Sequence, residues 1–283
     1  MKKVASYVFL LLIPISTVIA MPQISLPVAM MRNTFQIISD DSFSGTVFIL
    51  MHPFSRGKDT NDYAVLFTAA HVVDSMKEDS ATIKARFQNN DGYQKKDYRL
   101  SIRDKGKPRW VKHPEVDIAA MVVDLPEIIL KELVLIPTDL IADDQNLKDC
   151  NIEPGEKVFI LGYPLGFEAN DYGFPILRTG YIASYPLFPA KKERRILIDF
   201  KIFKGNSGGP VFCIKENPWK EDKLIKGTIT AQLLLGIVIE DRGISEKIEY
   251  LDGAMEKRRY PLDIAAIVPA TFMKELLDSL FSQ

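Results

Sequence analysis

The sequence has 283 residues, enough for one large β domain or two smaller ones, each with room for a core. Its 36 Lys and Arg nearly balance 37 Asp and Glu, so no global field favours nucleic acid or an anionic membrane surface. Two cysteines, Cys150 and Cys213, exclude a scaffold built from disulfides. They either pair with each other or sit as two small buried hydrophobes.

Residues 1–20 stand apart from the rest. Lys2 and Lys3 open a mostly apolar run from Val4 to Ile19, and Val18-Ile19-Ala20 has the small-residue spacing of a signal-peptidase site. Pro14 and the Ala20 site favour a cleaved signal over a retained anchor. The expected mature protein is exported, periplasmic or secreted, and no later segment is long and apolar enough for a membrane span.

Short runs rich in β-branched and aromatic residues follow: "GTVFILM" (45–51), "YAVLFTAAHVV" (63–73), "ATIKARF" (81–87) and "DIAAMVV" (117–123). The second half repeats the habit in "EKVFILGY" (156–163), "ILRTGYIASY" (176–185), "RILIDF" (195–200), "GPVFCI" (209–214) and "ITAQLLLGIVIE" (229–240). Polar turn chemistry separates them, with no alternating helices, and predicts an all-β sandwich or pair of barrels. Residues 21–124 read as an N-terminal β unit, 125–155 as a Pro-punctuated linker containing Asp143-Asp144, and 156–269 as a C-terminal β unit. Only 270–283 carries a clear helical stripe, in Phe272, Met273, Leu276, Leu277, Leu280 and Phe281.

"KGNSGGPV" (204–211) places Ser207 among glycines. A serine hydroxyl is a weak nucleophile until a neighbouring base takes its proton. The sequence offers His52, His71 and His113, all ahead of Ser207. "GNSGG" also satisfies the Gly-x-Ser-x-Gly elbow of α/β-hydrolases, but that fold needs its histidine after the serine. His71 ends a hydrophobic run in small residues, "LFTAAH", a context that holds an imidazole rigidly beside open space. His52, before Pro53, reads as a surface histidine at a hairpin loop, and His113 in "KHPEVD" as structural. Asp117, immediately before an apolar strand, is the best candidate to orient the base; Asp62, Asp74 and Asp124 lack either that context or the order.

"GTVF", "TAAHVV", "HPEVDIAAM", "LGYPLG", "GNSGGPV" and "LLGIV" occur in the order and rough spacing of the chymotrypsin-like serine peptidases. The sequence resembles that family from about Gly45 to Pro269, and within it the bacterial HtrA/Deg-like protease domain without a PDZ module. The resemblance implies two six-stranded antiparallel β-barrels, the N-terminal one carrying His71 and Asp117 and the C-terminal one Ser207, with a C-terminal helix. It implies His71 as general base, Asp117 as its orienter, Ser207 as nucleophile, and the Gly205 and Ser207 N–H groups as an oxyanion hole. "LGYPLG" (161–166) resembles the stretch that supports the oxyanion loop. Ile239, Glu240 and Asp241 match the strand against which a polypeptide substrate pairs. The expected activity is serine endopeptidase chemistry through an acyl-enzyme, with an inactive trypsin-fold binding module as the alternative.

Asn206 stands where digestive members of the family carry an aspartate that pairs with a newly freed N-terminus, which implies no activation of that kind. The resemblance places Lys201 at the base of the primary specificity pocket. There it either favours an acidic residue before the cut, or turns to solvent or merely plugs the pocket. The basic clusters "KKERR" (191–195) and "EKRR" (256–259) read as solvated hairpin tips. No motif for a metal or cofactor is present, so neither is expected.

Overall fold

The computed structural model describes residues 24–39, 44–56, 59–90, 92–216, 230–249 and 255–282; the expected signal segment, residues 1–20, lies outside them. Helix α1 (Leu26–Asn33) runs straight into strand β1 (Thr34–Ile38). Strands β2 (Ser44–Arg56) and β3 (Asp59–Thr68) pair antiparallel, with Phe48 opposite Phe67 and their rings stacked at 5.7 Å. The short helix α2 (Ala70–Asp74) follows, then the hairpin of β4 (Ser80–Asn89) and β5 (Gly92–Ser101). Two-residue strands β6 (Arg103–Asp104), β7 (Lys107–Pro108) and β8 (Val111–Lys112) lead to β9 (Ala119–Val122). Seven of these form one antiparallel sheet in the order β5-β4-β1-β2-β3-β9-β8.

The connection from 123 to 156 contains helices α3 (Glu127–Leu130) and α4 (Asp144–Asp149). The acidic pair Asp143-Asp144 has a local purpose. Asp143 accepts the Asn146 N–H at 2.8 Å while the Asn146 side chain accepts the Asp143 N–H at 3.0 Å, so two orphan donors of α4 are satisfied reciprocally.

Strands β10 (Lys157–Gly162) and β11 (Ile176–Ile182) open the second half, followed by helix α5 (Ala190–Glu193), β12 (Ile196–Asp199) and β13 (Pro210–Glu216). Strands β14 (Thr230–Glu249) and β15 (Met255–Pro269) complete a closed barrel in the order β10-β11-β12-β15-β14-β13. The all-β architecture, the closed six-stranded barrel and the terminal helix agree with the two-barrel expectation. The first half is a seven-stranded sheet, with β5 and β8 at its edges. β14 runs nine residues past the apolar stretch read as a strand, into polar sequence with no apolar signal of its own.

Helix α6 (Thr271–Phe281) begins where Pro269 ends β15. Its buried Phe272, Met273, Leu276 and Leu277 fall at helical spacing, and each such side chain contributes roughly 1.5–3 kcal/mol when fully removed from water. The helix crosses back onto the first sheet. Phe272 meets His113 at 5.1 Å, and Phe281 meets His52 at 4.5 Å. His52 is therefore half-buried against α6, with Nδ1 3.0 Å from the Thr138 hydroxyl, where the sequence suggested an open surface. A local reading of "FILMH" cannot see a helix that arrives 220 residues later.

Arg86 on β4 is the least expected core residue, 3% exposed. Its guanidinium donates to the carbonyls of Met31, Arg32, Thr34 and Gly173 and to the Tyr163 hydroxyl, and lies over the rings of Phe35 and Phe174. Burial lowers its pKa, against the pull of Tyr163. One planar fork thus joins α1, β1 and the segment after β10. Arg86→Met is expected to destabilise the protein by about 3 kcal/mol, because the Met31 and Arg32 carbonyls lose this donor and those of Thr34 and Gly173 are left to share the single Tyr163 hydroxyl. Arg86→Lys should recover only part of that. Urea midpoints check both, and a midpoint unchanged in Arg86→Met would remove the tie.

Candidate active site

His71 occupies the first turn after β3. The Val72 and Val73 side chains are buried and pin α2, while the His71 carbonyl accepts both the N–H and the hydroxyl of Ser75 at 3.2 and 2.8 Å. The ring itself stays partly open to solvent. Asp117 precedes β9 on a loop held by fully buried Ile118, whose carbonyl accepts the His113 N–H at 3.0 Å. Its carboxylate grips His71 twice: Oδ1 accepts the backbone N–H at 2.9 Å, and Oδ2 lies 2.6 Å from Nδ1. A carboxylate only accepts, so the proton sits on Nδ1 and Nε2 keeps its lone pair for the cleft.

Burial raises the Asp117 carboxyl pKa, but the hydrogen bonds from the His71 ring and backbone, with the charge on the ring, outweigh it and leave the value below the usual 3.8. A depressed carboxyl contributes stability that is complete above its unfolded value and lost as pH falls through the folded one. Denaturant midpoints followed from pH 5 towards pH 2.5 should therefore fall more steeply for the wild type than for Asp117→Asn. Parallel curves would show that the carboxylate adds nothing to folding.

Ser207 is held by strand β2, from the other half of the molecule. The Thr46 N–H donates to the Ser207 carbonyl at 2.9 Å, and its hydroxyl donates to the Gly205 carbonyl at 2.6 Å. That hydroxyl also accepts the Tyr163 N–H at 3.3 Å, and the Thr46 carbonyl is fixed by the Thr68 hydroxyl at 2.7 Å. Gly208 and Gly209 exchange backbone bonds with Val238 on β14 at 2.8 and 2.9 Å.

The peptide between Lys204 and Gly205 is oriented from the opposite side. The Leu165 N–H, in the turn after β10, donates to the Lys204 carbonyl at 2.6 Å. In a trans peptide the C=O and N–H point in opposite directions, so anchoring that carbonyl turns the Gly205 N–H away from the turn. Among the described residues neither the Gly205 nor the Ser207 N–H has an acceptor in the protein. Two free donors two residues apart make a site for an oxyanion. Gly205 has φ +93°, and a Cβ there would lie 2.2 Å from the Tyr163 carbonyl, so no other residue fits. Tyr163 is fully buried, its phenol bonded to the Thr34 and Gly173 carbonyls; burial pushes its pKa up to about 12.

The other expected site residues divide. Ile239 is buried beside the serine, and Ser207 Oγ donates to its carbonyl at 3.4 Å rather than to His71. Glu240 and Asp241 continue β14 opposite Ala266 and Ala265. Lys201 is half-exposed, with Nζ 3.2 Å from the Asp263 carboxylate, which offsets its charge and supports the solvent-facing alternative. Asn206 is buried, and among the described residues its Oδ1 lacks a hydrogen-bond partner.

The "KKERR" cluster is no hairpin tip: it spans α5 and lines a cleft of about 480 Å³ beside Asp117 and Ile239. There Arg194 pairs with Glu115 at 3.0 Å, and Lys191 with Glu275 at 3.1 Å. "EKRR" lies in β15, with its side chains outside those described. Cys150 and Cys213 are both buried free thiols; burial raises both pKa values, Cys213 to about 12. Among the described residues, no group of three His, Cys, Asp or Glu side chains is arranged to hold a metal ion.

A β-sheet half carrying histidine and aspartate beside a closed β-barrel carrying a glycine-bound serine defines the serine-peptidase fold of the chymotrypsin kind. The profile of the trypsin-like peptidase domain matches residues 54–217, more than half of the sequence, and the chain belongs to that family. No curated protein matches it.

Proposed function

We propose that the chain is an exported serine endopeptidase, with Ser207 as nucleophile, His71 as general base and then acid, and Asp117 as its orienter. The observation that carries this reading is the double hydrogen bond from His71 to Asp117, which leaves Nε2 as the only basic ring nitrogen. Ser207 Oγ attacks the substrate carbonyl as His71 Nε2 takes its proton. The oxyanion forms between the Gly205 and Ser207 N–H groups, each contributing about 3 kcal/mol to the barrier reduction. His71 then protonates the departing amine, and water repeats the sequence on the acyl-enzyme.

The resting bond from Ser207 to the Ile239 carbonyl fits this scheme. That carbonyl is the acceptor offered to the N–H of the residue before the cut. A substrate that takes it displaces the hydroxyl towards His71. The buried, uncharged Asn206 supports a site that needs no freed N-terminus, since a carboxylate there would demand a cation. Export rests on the character of residues 1–20; no described helix is long and apolar enough to cross a membrane.

A fluorophosphonate probe tests the reading, because it reacts only with an activated serine. Labelling that disappears in Ser207→Ala and in His71→Ala is the expected result. Folded mature protein that takes no label would instead be a binding module of the same fold. The hydrogen bond of the Ser207 hydroxyl to the Ile239 carbonyl, with none to His71 among the described residues, is the feature that favours that second reading.

A further inference from the structure

Strand β14 is covered on its two edges to different extents. β15 accompanies it from Gly236 to Glu249, whereas β13 accompanies it only from Thr230 to Ile237. Past Val238, which bonds Gly208 and Gly209, no described strand pairs with that second edge. The register slips by one residue between Val238 and Glu240, so Ile239 is a bulge, and shifts again between Arg242 and Gly243, where the two extra residues, Leu262 and Asp263, lie on β15 and leave the sequence of β14 uninterrupted. The bulge aims the Ile239 carbonyl at the same edge as Val238, where Ser207 Oγ reaches it. From there the two-residue period of a strand turns the backbone N–H and C=O groups of Asp241, Gly243, Ser245, Lys247 and Glu249 towards the open edge. The open edge thus starts at the candidate nucleophile and runs for about 27 Å beyond Asp241.

We propose that this edge binds the substrate itself, as an extended chain that adds a strand to β14 over as many as eleven residues upstream of the cleaved bond. The inference rests on the peptidase reading for its direction. With the residue before the cut at Ile239 and the chain antiparallel to β14, the third upstream residue meets Asp241. The fifth meets Gly243, the seventh Ser245, the ninth Lys247 and the eleventh Glu249. Each of these odd-numbered residues exchanges two backbone bonds; the even-numbered ones face away.

Two further features select this occupant. Residues 239–249 contain no proline, while the opposite edge of the hairpin carries Pro261, which removes a donor and blunts it against pairing. The edge is also continuous with the serine, so a chain held on it is delivered to the chemistry in register. Backbone pairing ignores side-chain identity, so the substrate class is an unfolded or locally extended polypeptide; short peptides and folded surfaces fall outside it. Pairing at Ile239 to Asp241 is what the family resemblance implies; the inference adds the positions from Gly243 to Glu249, which the long β14–β15 hairpin of this chain supplies.

Fluorescein-labelled peptides of alternating Thr and Gln, with three, six or nine residues ahead of a terminal Val-Ala, test the proposal by anisotropy on the mature Ser207→Ala protein. Affinity should rise at least tenfold from the three- to the nine-residue extension, since each added backbone bond is worth about threefold or more. N-methylation at the fifth and seventh upstream amides should abolish most of the gain, and at the sixth should not. Replacing residues 244–260 by Asn-Gly should bring the long-to-short ratio close to one. A flat length series, or equal loss at odd and even positions, overturns the proposal. So does a dimer in sedimentation that the nine-residue peptide leaves intact, because a second copy then fills the edge. Fluorophosphonate labelling of the wild type separates the two readings. A labelled protein with a flat series loses only the extended edge, and an unlabelled one with the odd–even pattern loses only the peptidase.

Discussion

Ser207→Ala should lower turnover of a peptide substrate by about 10⁶-fold, and His71→Ala by about as much. The double variant should lose no more than either single one. The hydroxyl is useless without a base and the base has nothing to deprotonate without the hydroxyl, so the two contribute one barrier reduction between them. The residual rate, roughly 10³–10⁴ above water, would come from the Gly205 and Ser207 N–H groups, which both substitutions leave in place. Thr46 holds the loop through the backbone carbonyls of Gly205 and Ser207, so alanine at 207 preserves its shape. Single-turnover kinetics on all three variants provide the measurement. Losses that multiply in the double variant would show that the residues act independently.

Asp117→Asn is expected to cost about 10⁴-fold in turnover while leaving the fold in place. The asparagine carbonyl can still accept the His71 backbone N–H, as Oδ1 does at 2.9 Å. Its amide, facing Nδ1, donates where the carboxylate accepted. The ring proton then moves to Nε2, which can no longer take a proton from the serine. Thermal unfolding close to wild type together with collapsed turnover is the expected pair of results. A loss below tenfold would mean that another group sets the tautomer.

Much of the site could be read from the sequence because its signals are local. Ser207 is framed by three glycines, Gly205, Gly208 and Gly209, that the loop needs for close backbone contacts, and chain order alone removed the hydrolase elbow. Asp117 could be found because Ile118 and Met121 mark the strand that fixes it. What escaped the sequence depends on distant partners. Arg86 sits in the alternation of "ATIKARF" like a surface cation, and only the convergence of four carbonyls and two rings makes it a core residue. Strand β5 is largely exposed and lysine-bearing, so it shows no apolar period to detect. The same holds for the outer half of β14. Helix α1 and strand β1 lie just beyond the apolar leader, and no capping signal separates them. Counting six residues back from Ser207 finds Lys201 but not its ion-pair partner Asp263, which meets it from β15.

The hold of Thr46 on the Ser207 loop has a consequence for how the protein comes to life. The proposed nucleophile, Ser207, is encoded late in the chain, yet the shape of its loop is imposed by a strand made 161 residues earlier. The base and its orienter belong to that earlier half, and α6, the last element, closes over it by packing on His113 and His52. Under the proposed roles, neither half alone holds a complete triad. Reactivity is thus a readout of complete assembly, and two fragments cut between β9 and β10 would form a switch that fires only on reunion.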